Sequence, residues 1–271
     1  MSVDATTVLS QRIARRALWL FAALVLAFLI APVLIVIPLS FNDSTYFSYP
    51  MSGFTWRWYE DIFTSPDWRA AILNSFVIGL SSAAIATVLG TLAAMGISRP
   101  AFPLRSIIVP LMISPMIIPI VVVAVSLYLI FAPLGLINTH LGVILAHAAL
   151  GTPFVVMTVT ARLMAYDQSL SRAAAGLGAS PLTVFRRVML PQILPGVATG
   201  GIFAFATSFD EVVVILFIGG TEQRTIPRQM WAGIRDQINP TILAMAGLLT
   251  IFAIVLMLTM NWLHTRSVSR S

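Results

Sequence analysis

Six stretches of this chain, roughly residues 17–40, 70–98, 104–131, 137–161, 192–218 and 241–263, are each long and apolar enough to cross a bilayer. About 20 apolar residues in a helix span the ~30 Å of hydrocarbon. Lipid offers no hydrogen bonds, so a segment of this length crosses it as a helix that satisfies its own backbone. The fold class expected is all-α integral membrane, with six transmembrane helices. Composition agrees where it decides something: 10% of the residues are charged, against about a quarter in soluble domains. The first run follows Arg12, Arg15 and Arg16, as a signal peptide would. It is too long for that, and no small-x-small cleavage site ends it, so it reads as an uncleaved span.

The net charge of +6 comes from 16 Arg and no Lys. Six spans put both termini on one side. With the N-terminus inside, the inner segments hold eleven Arg against two acids, Asp4 and Asp167, and the outer segments five Arg against six acids. Cytoplasmic loops retain positive residues, so the expected topology is N-in/C-in. Topology thus accounts for the charge, and nucleic acid has no part in it. The division that follows is a tail over 1–16, one transmembrane domain over 17–264 with a loop at about 166–190, and a tail over 265–271.

Several features lie on or between the spans. The outer loop 41–69 carries Tyr46, Phe47, Tyr49, Phe54, Trp56, Trp58 and Tyr59, which suits either an interfacial aromatic belt or contact with an outside partner. In the outer loop 219–240, Pro227 is placed to open a short helix with Met230, Trp231 and Ile234 on one face. Pro110, Pro115 and Pro119 predict a bent third span, which either simply packs or lines a pathway that opens and closes. Small residues along the second span, from Gly79, Ser81, Ser82, Ala83 and Ala84 to Ala86, Gly90, Ala93, Ala94 and Gly96, predict close helix contact.

Enzyme chemistry finds little support. Without Cys there is no thiolate metal site and no Cys nucleophile. A chain without Lys has no Walker lysine, so this chain is not expected to hydrolyse ATP through a P-loop. Neither GxSxG nor HExxH occurs, and nothing in the order of the spans pairs a Ser with His140, His147 or His264. His147 is expected to bond a backbone carbonyl, and no metal or cofactor is expected.

Between Arg162 and Pro191 the apolar character breaks for nearly 30 residues. Asp167, Ser169 or Ser171 can cap a helix, and Ala173, Ala174 and Ala175 favour one without adding bulk. Gly178 suits its end, where positive φ is needed. Ser180 and Pro181 then restart a helix as N-cap and first residue, and Leu190–Pro191 is expected to turn the chain into the fifth span. A helix with an alanine face fits a groove on a soluble partner. In the fifth span, Ser208-Phe209-Asp210-Glu211 places two carboxylates in hydrocarbon. Such acids face protein or a water-filled path. One of them is expected to line the pathway while the other pairs with an Arg or caps backbone at a break; burial of both as a structural pair is the alternative.

The stretch Arg172–Pro191, RAAAGLGASPLTVFRRVMLP, resembles the loop by which permease subunits of type I ATP-binding-cassette importers grip their ATPases. The family pattern is Glu-Ala-Ala, three residues, Gly, nine residues, Ile-x-Leu-Pro. Ala173, Ala174, Gly178, Leu190 and Pro191 match it, Val188 stands for Ile, and Arg172 replaces the Glu. Residues 207–240 look like the spermidine/putrescine permease group, and the resemblance runs from about 70 to 263. It implies a bacterial inner-membrane subunit with a cytoplasmic coupling helix between its fourth and fifth spans. It also implies a second permease, a cytoplasmic ATPase dimer and an external binding protein, and a small cationic solute carried past Ser208, Phe209, Asp210 and Glu211. An opine or amino-acid-like solute is the alternative within the same architecture. A secondary transporter is the alternative outside it, though that would call for more spans or an internal repeat.

Overall fold

The computed structural model describes residues 5–45, 50–99, 102, 104–236 and 240–268, with side chains placed from Ala14 to Thr259 in those ranges except at residue 236. Asp4, Tyr46, Phe47, Tyr49 and Arg270 lie outside the described residues, as do the side chains of Arg12, His264 and Arg266. Among the described residues the regular structure is helical, apart from an isolated antiparallel bridge between Asn42 and Phe54, with turns and irregular segments between the helices. In chain order the helices are α1 (Ala5–Leu39), α2 (Arg57–Thr64), α3 (Pro66–Ile97), α4 (Arg105–Ile117), α5 (Ile120–Phe131), α6 (His140–Ala165), α7 (Gln168–Gly176), α8 (Pro181–Val184), α9 (Leu190–Phe209), α10 (Val213–Ile218), α11 (Ile226–Asp236) and α12 (Thr241–Val268).

Five of the expected runs become helices long and apolar enough to cross a membrane. The remaining one, the third, is broken rather than bent. α4 and α5 meet at 110°, and only when counted together do they make a sixth span. The cause is local. A proline pushes the residue before it out of the helical region, and Ile118, before Pro119, is extended at φ −72° and ψ 137°. Pro110 and Pro115 stay within α4.

The fifth run departs from expectation at both ends. Leu190–Pro191 does not turn the chain: helix continues from Pro181 to Phe209 through a π-helical stretch, Phe185–Met189. There the Leu190 amide donates to the Phe185 carbonyl, five residues back. This wider turn immediately precedes Pro191, whose missing donor would otherwise interrupt an α-helical ladder. At the far end α9 stops at Phe209, and the chain resumes as α10 only at Val213.

The chain divides into two compact units, residues 1–62 with 237–254, and residues 63–236 with 255–271. In the second, α3, α6 and α9 pack together. Lipid gives apolar helices no hydrophobic reason to associate, so close approach rests on small residues. α9 buries Gly196, Gly200, Ala204 and Ser208 at every fourth position. A Cβ on Gly200 would lie 2.7 Å from the Val155 Cα and 2.5 Å from the Thr158 hydroxyl, so α6 leaves room only for hydrogen. On α3, Gly79, Ser82, Ala83, Ala86, Gly90 and Ala94 are buried as expected, whereas Ala84 is exposed and a Cβ on Gly96 would meet no described residue beyond its own helix. A second core joins Ile78 of α3, Ala124 of α5, Val143 and Leu150 of α6, and Val214, Ile215 and Ile218 of α10.

In the first unit, most of the large apolar side chains of α1 between Leu18 and Ile37 are exposed. Phe41 stacks on Phe54 at 5.1 Å and on Tyr59 at 4.9 Å, with Trp56 edge-on. The Tyr59 and Ser40 hydroxyls are 2.7 Å apart, Trp58 donates to the Asn42 carbonyl at 2.7 Å, and Thr241 donates to Asp61 at 2.8 Å.

Candidate functional site

Two places combine unusual backbone with chemistry-bearing side chains. The first is the loop from Asp167 to Pro191. Asp167 caps α7, accepting from the Ser169 amide at 2.8 Å and the Ser169 hydroxyl at 2.7 Å. These two bonds, with the nearby Arg172 charge, hold its carboxyl below the usual range. The cap therefore contributes fully above the carboxylate's ordinary titration and is lost as pH falls through the lowered value. Asp167→Ala is expected to speed exchange of the first α7 amides about fivefold, the usual effect of losing an N-cap. Hydrogen–deuterium exchange on this segment checks it.

α7 ends as the sequence predicts. Gly178 takes φ +84°, its amide donates to the Ala175 carbonyl at 3.0 Å, and the Ala179 amide donates to Ala174 at 3.1 Å. This closes a Schellman turn. Ser180 then caps α8, which opens at Pro181. Arg172, Ala173, Gly178 and Pro191 are exposed, and Ala174 and Leu190 half-buried. Leu177, beside the turn, is 90% exposed and Leu182 61%. The fold leaves these apolar side chains uncovered.

The second place is the break after α9. Asp210 ends that helix with φ −97° and ψ −2°, and is exposed. Glu211 is half-buried and accepts from the Val214 amide at 2.8 Å, capping α10. The two acids therefore differ in kind: one carboxylate satisfies a helix start and the other stands free of the helix it ends. Phe209 is buried with Phe205, their rings 5.2 Å apart, and Phe76 at 5.3 Å. Ser208 is buried against His147, with Oγ 2.8 Å from Nδ1.

That Ser–His pair corrects the sequence reading, which left His147 to a backbone carbonyl. Antiparallel packing of α6 on α9 sets it. Gly151 meets Ala204, and one turn further His147 meets Ser208. The Nε2 of His147 has no partner among the described residues. Apart from these two places, a cleft of about 910 Å³ opens between α4 and α6, lined by Arg105, Val109, Pro110, Ile113, Met157 and Thr160 among others. Pro110 is one of the three prolines singled out in the sequence. α11 forms where Pro227 predicts it, with Trp231 and Ile234 about half exposed. No group of three or more His, Asp or Glu among the described residues is placed to hold a metal ion.

Comparison with known proteins fixes the class. Residues 86–270 match the family model for the binding-protein-dependent transport system inner membrane component, and the chain belongs to that family. It is a multi-pass inner-membrane permease component of a bacterial ATP-binding-cassette importer. More particularly, it is 31% identical to the spermidine/putrescine transport system permease protein PotC of Haemophilus influenzae, over 87% of this chain and 91% of that one. It is 32% identical to the putrescine transport system permease protein PotI of Escherichia coli K12, over 86% of each. Among solved structures, a bacterial ABC transporter involved in the import of the acidic polysaccharide alginate matches with TM-score 0.76 at 14% identity, over 96% of this chain and 98% of that one. A second alginate transporter structure, in complex with an alginate-bound periplasmic protein, matches with TM-score 0.69 at 19% identity, over 94% and 96%. At those identities the likeness is one of fold.

Proposed function

We propose that this chain carries a small organic cation, a polyamine such as putrescine or spermidine, as one of two permeases in an ATP-driven importer. The observation that carries the reading is the 31–32% identity to polyamine permeases along nearly the full length of both chains. The paired acids at the α9–α10 break support it, because a carboxylate in a low-dielectric path complements a cation. The exposed Asp210 is the candidate contact, and Glu211, Phe209 and Ser208 shape the turn that presents it. The chain spans six times, N-in and C-in, with α4 and α5 as one broken span.

On the inner side, α7 docks on an ATPase dimer. Arg172, Ala173, Ala174 and Gly178 form the docking end, and the unbroken helix through Leu190 and Pro191 carries its movement into the membrane. Uncovered Leu177 and Leu182 favour this, since a groove on a partner would bury them. Arg172 reverses the charge of the family's Glu, so an acid on the ATPase pairs with it or the second permease keeps the Glu. An external binding protein delivers the solute from the other side.

Uptake of labelled putrescine and spermidine by cells expressing the whole importer tests the site. Glu211→Gln keeps an acceptor for the Val214 amide and Asp210→Asn keeps the shape, so both variants should assemble. Loss of a charged contact is expected to lower uptake by Asp210→Asn roughly tenfold. Full uptake by both variants would remove the carboxylates from the pathway.

A further inference from the structure

The loop joining α10 to α11 is tied to Asn74 and Ser75, in the third turn of α3, and to the start of α6 by a chain of directional hydrogen bonds. The Asn74 amide nitrogen donates to the Glu222 carbonyl at 2.7 Å and the Arg224 carbonyl at 3.0 Å. The Asn74 oxygen lies 3.1 Å from Nε2 of His140. Nδ1 of His140 lies 3.4 Å from the amide nitrogen of Gln223, whose oxygen accepts from the Gly220 amide at 2.9 Å. Ser75 completes the tie, accepting from the Ile226 amide at 2.8 Å.

Backbone groups at both ends fix the direction of every bond between them. Carbonyls only accept, so Asn74 has to turn its NH2 to Glu222 and Arg224 and its oxygen to His140. A backbone amide only donates, so Gln223 has to turn its oxygen to Gly220 and its NH2 to His140. The imidazole is thereby held between an acceptor and a donor. Only the neutral tautomer with hydrogen on Nε2 fits.

We infer that His140 is a proton-operated latch for the 219–226 loop, closed when the imidazole is neutral and released when Nδ1 takes a proton. A protonated Nδ1 would face the Gln223 NH2, donor against donor. Rotating the Gln223 amide would satisfy the imidazole but turn NH2 toward the Gly220 amide. The Asn74 side is unaffected, since Nε2 donates in both states. The strain therefore falls on the Gln223–Gly220 turn, which leads directly from α10 and the Asp210–Glu211 break.

Charged groups on the surrounding elements do not substitute for Gln223. Arg224 donates to Gln229, Arg228 donates to the Gly220 carbonyl, and Glu222 is exposed on the same loop. On α3, Asp67 and Arg69 precede Asn74 by more than one turn. The inference holds for any carried solute.

Hydrogen–deuterium exchange of the full chain, in nanodiscs with its partner subunits, reads the latch directly. After correction for intrinsic exchange, protection of the 219–223 amides should fall about tenfold between about pH 8 and pH 5.5, the effect of one lost hydrogen bond. Gln223→Glu offers an acceptor to both the Gly220 amide and a protonated imidazole, so protection should rise rather than fall on acidification. His140→Gln should abolish the pH dependence. Wild-type protection that is unchanged across this range, or a Gln223→Glu variant that follows the wild type, would overturn the inference.

Discussion

Gly178→Val is expected to lower solute-stimulated ATP hydrolysis by the assembled importer at least tenfold while leaving membrane insertion intact. At φ +84° the backbone there occupies a region that a β-branched residue essentially cannot adopt. Beyond its chain neighbours, no described residue of this chain comes within 4 Å of where a Cβ would stand, so within the chain the effect is one of backbone conformation and not of crowding. Forced out of that conformation, the turn loses the Gly178–Ala175 and Ala179–Ala174 bonds that close α7. α7 would then leave its present direction relative to α8 and to the long helix beyond. Asn tolerates the left-handed region, and Gly178→Asn should keep most of the stimulation. Solute-stimulated hydrolysis in purified complexes separates the two variants; equal activity in both would mean that the turn transmits nothing.

Gly200→Leu is expected to reduce the yield of folded, monodisperse chain at least tenfold. The contact lies at the centre of the α6–α9 packing, where even a Cβ would come within 2.7 Å of a backbone carbon of α6. A whole side chain would drive the two helices apart and unseat Ala204 from Gly151 and Ser208 from His147. Inserting extra methylenes into a packed core typically costs about 1–3 kcal/mol, and here the obstruction includes backbone. Gly96→Ala is the control, because beyond its own helix no described residue stands within 4 Å of a Cβ at that position. Detergent-solubilised chain analysed by size exclusion distinguishes them. Normal elution of Gly200→Leu would show that this contact does not hold the helices together.

Much of this architecture is legible in the sequence because lipid imposes one dominant rule, and runs of apolar residues obey it. A cap among Asp167, Ser169 and Ser171, the positive-φ turn at Gly178, the restart at Ser180–Pro181 and the helix opened near Pro227 are also legible, since each depends on local chemistry; that Asp167 is the cap is seen only in the structure. What escapes is of two kinds. Breaks within spans depend on one residue's backbone. Pro119 was visible as a kink, but nothing in the sequence distinguishes a bend from the 110° break that Ile118 makes by going extended. The π-helical stretch before Pro191 escapes for the same reason.

Pairings between spans escape because they depend on register. His147 and Ser208 are 61 residues apart, and neither announces the other. One signal was available: Gly196, Gly200, Ala204 and Ser208 recur at every fourth position on α9. Such a small-residue stripe marks a helix-contact face. Gly151 supplies the matching gap on α6, and aligning the two antiparallel brings His147 to Ser208.

Transport in a closed system decides the substrate most directly. The chain and its partner subunits would be reconstituted in proteoliposomes with the binding protein outside and ATP inside, and accumulation of labelled putrescine and spermidine measured. ATP-dependent accumulation of either, competed by the other polyamine and not by an acidic oligosaccharide, is the expected result. Assembled complexes that hydrolyse ATP yet accumulate neither polyamine would contradict polyamine import by this chain.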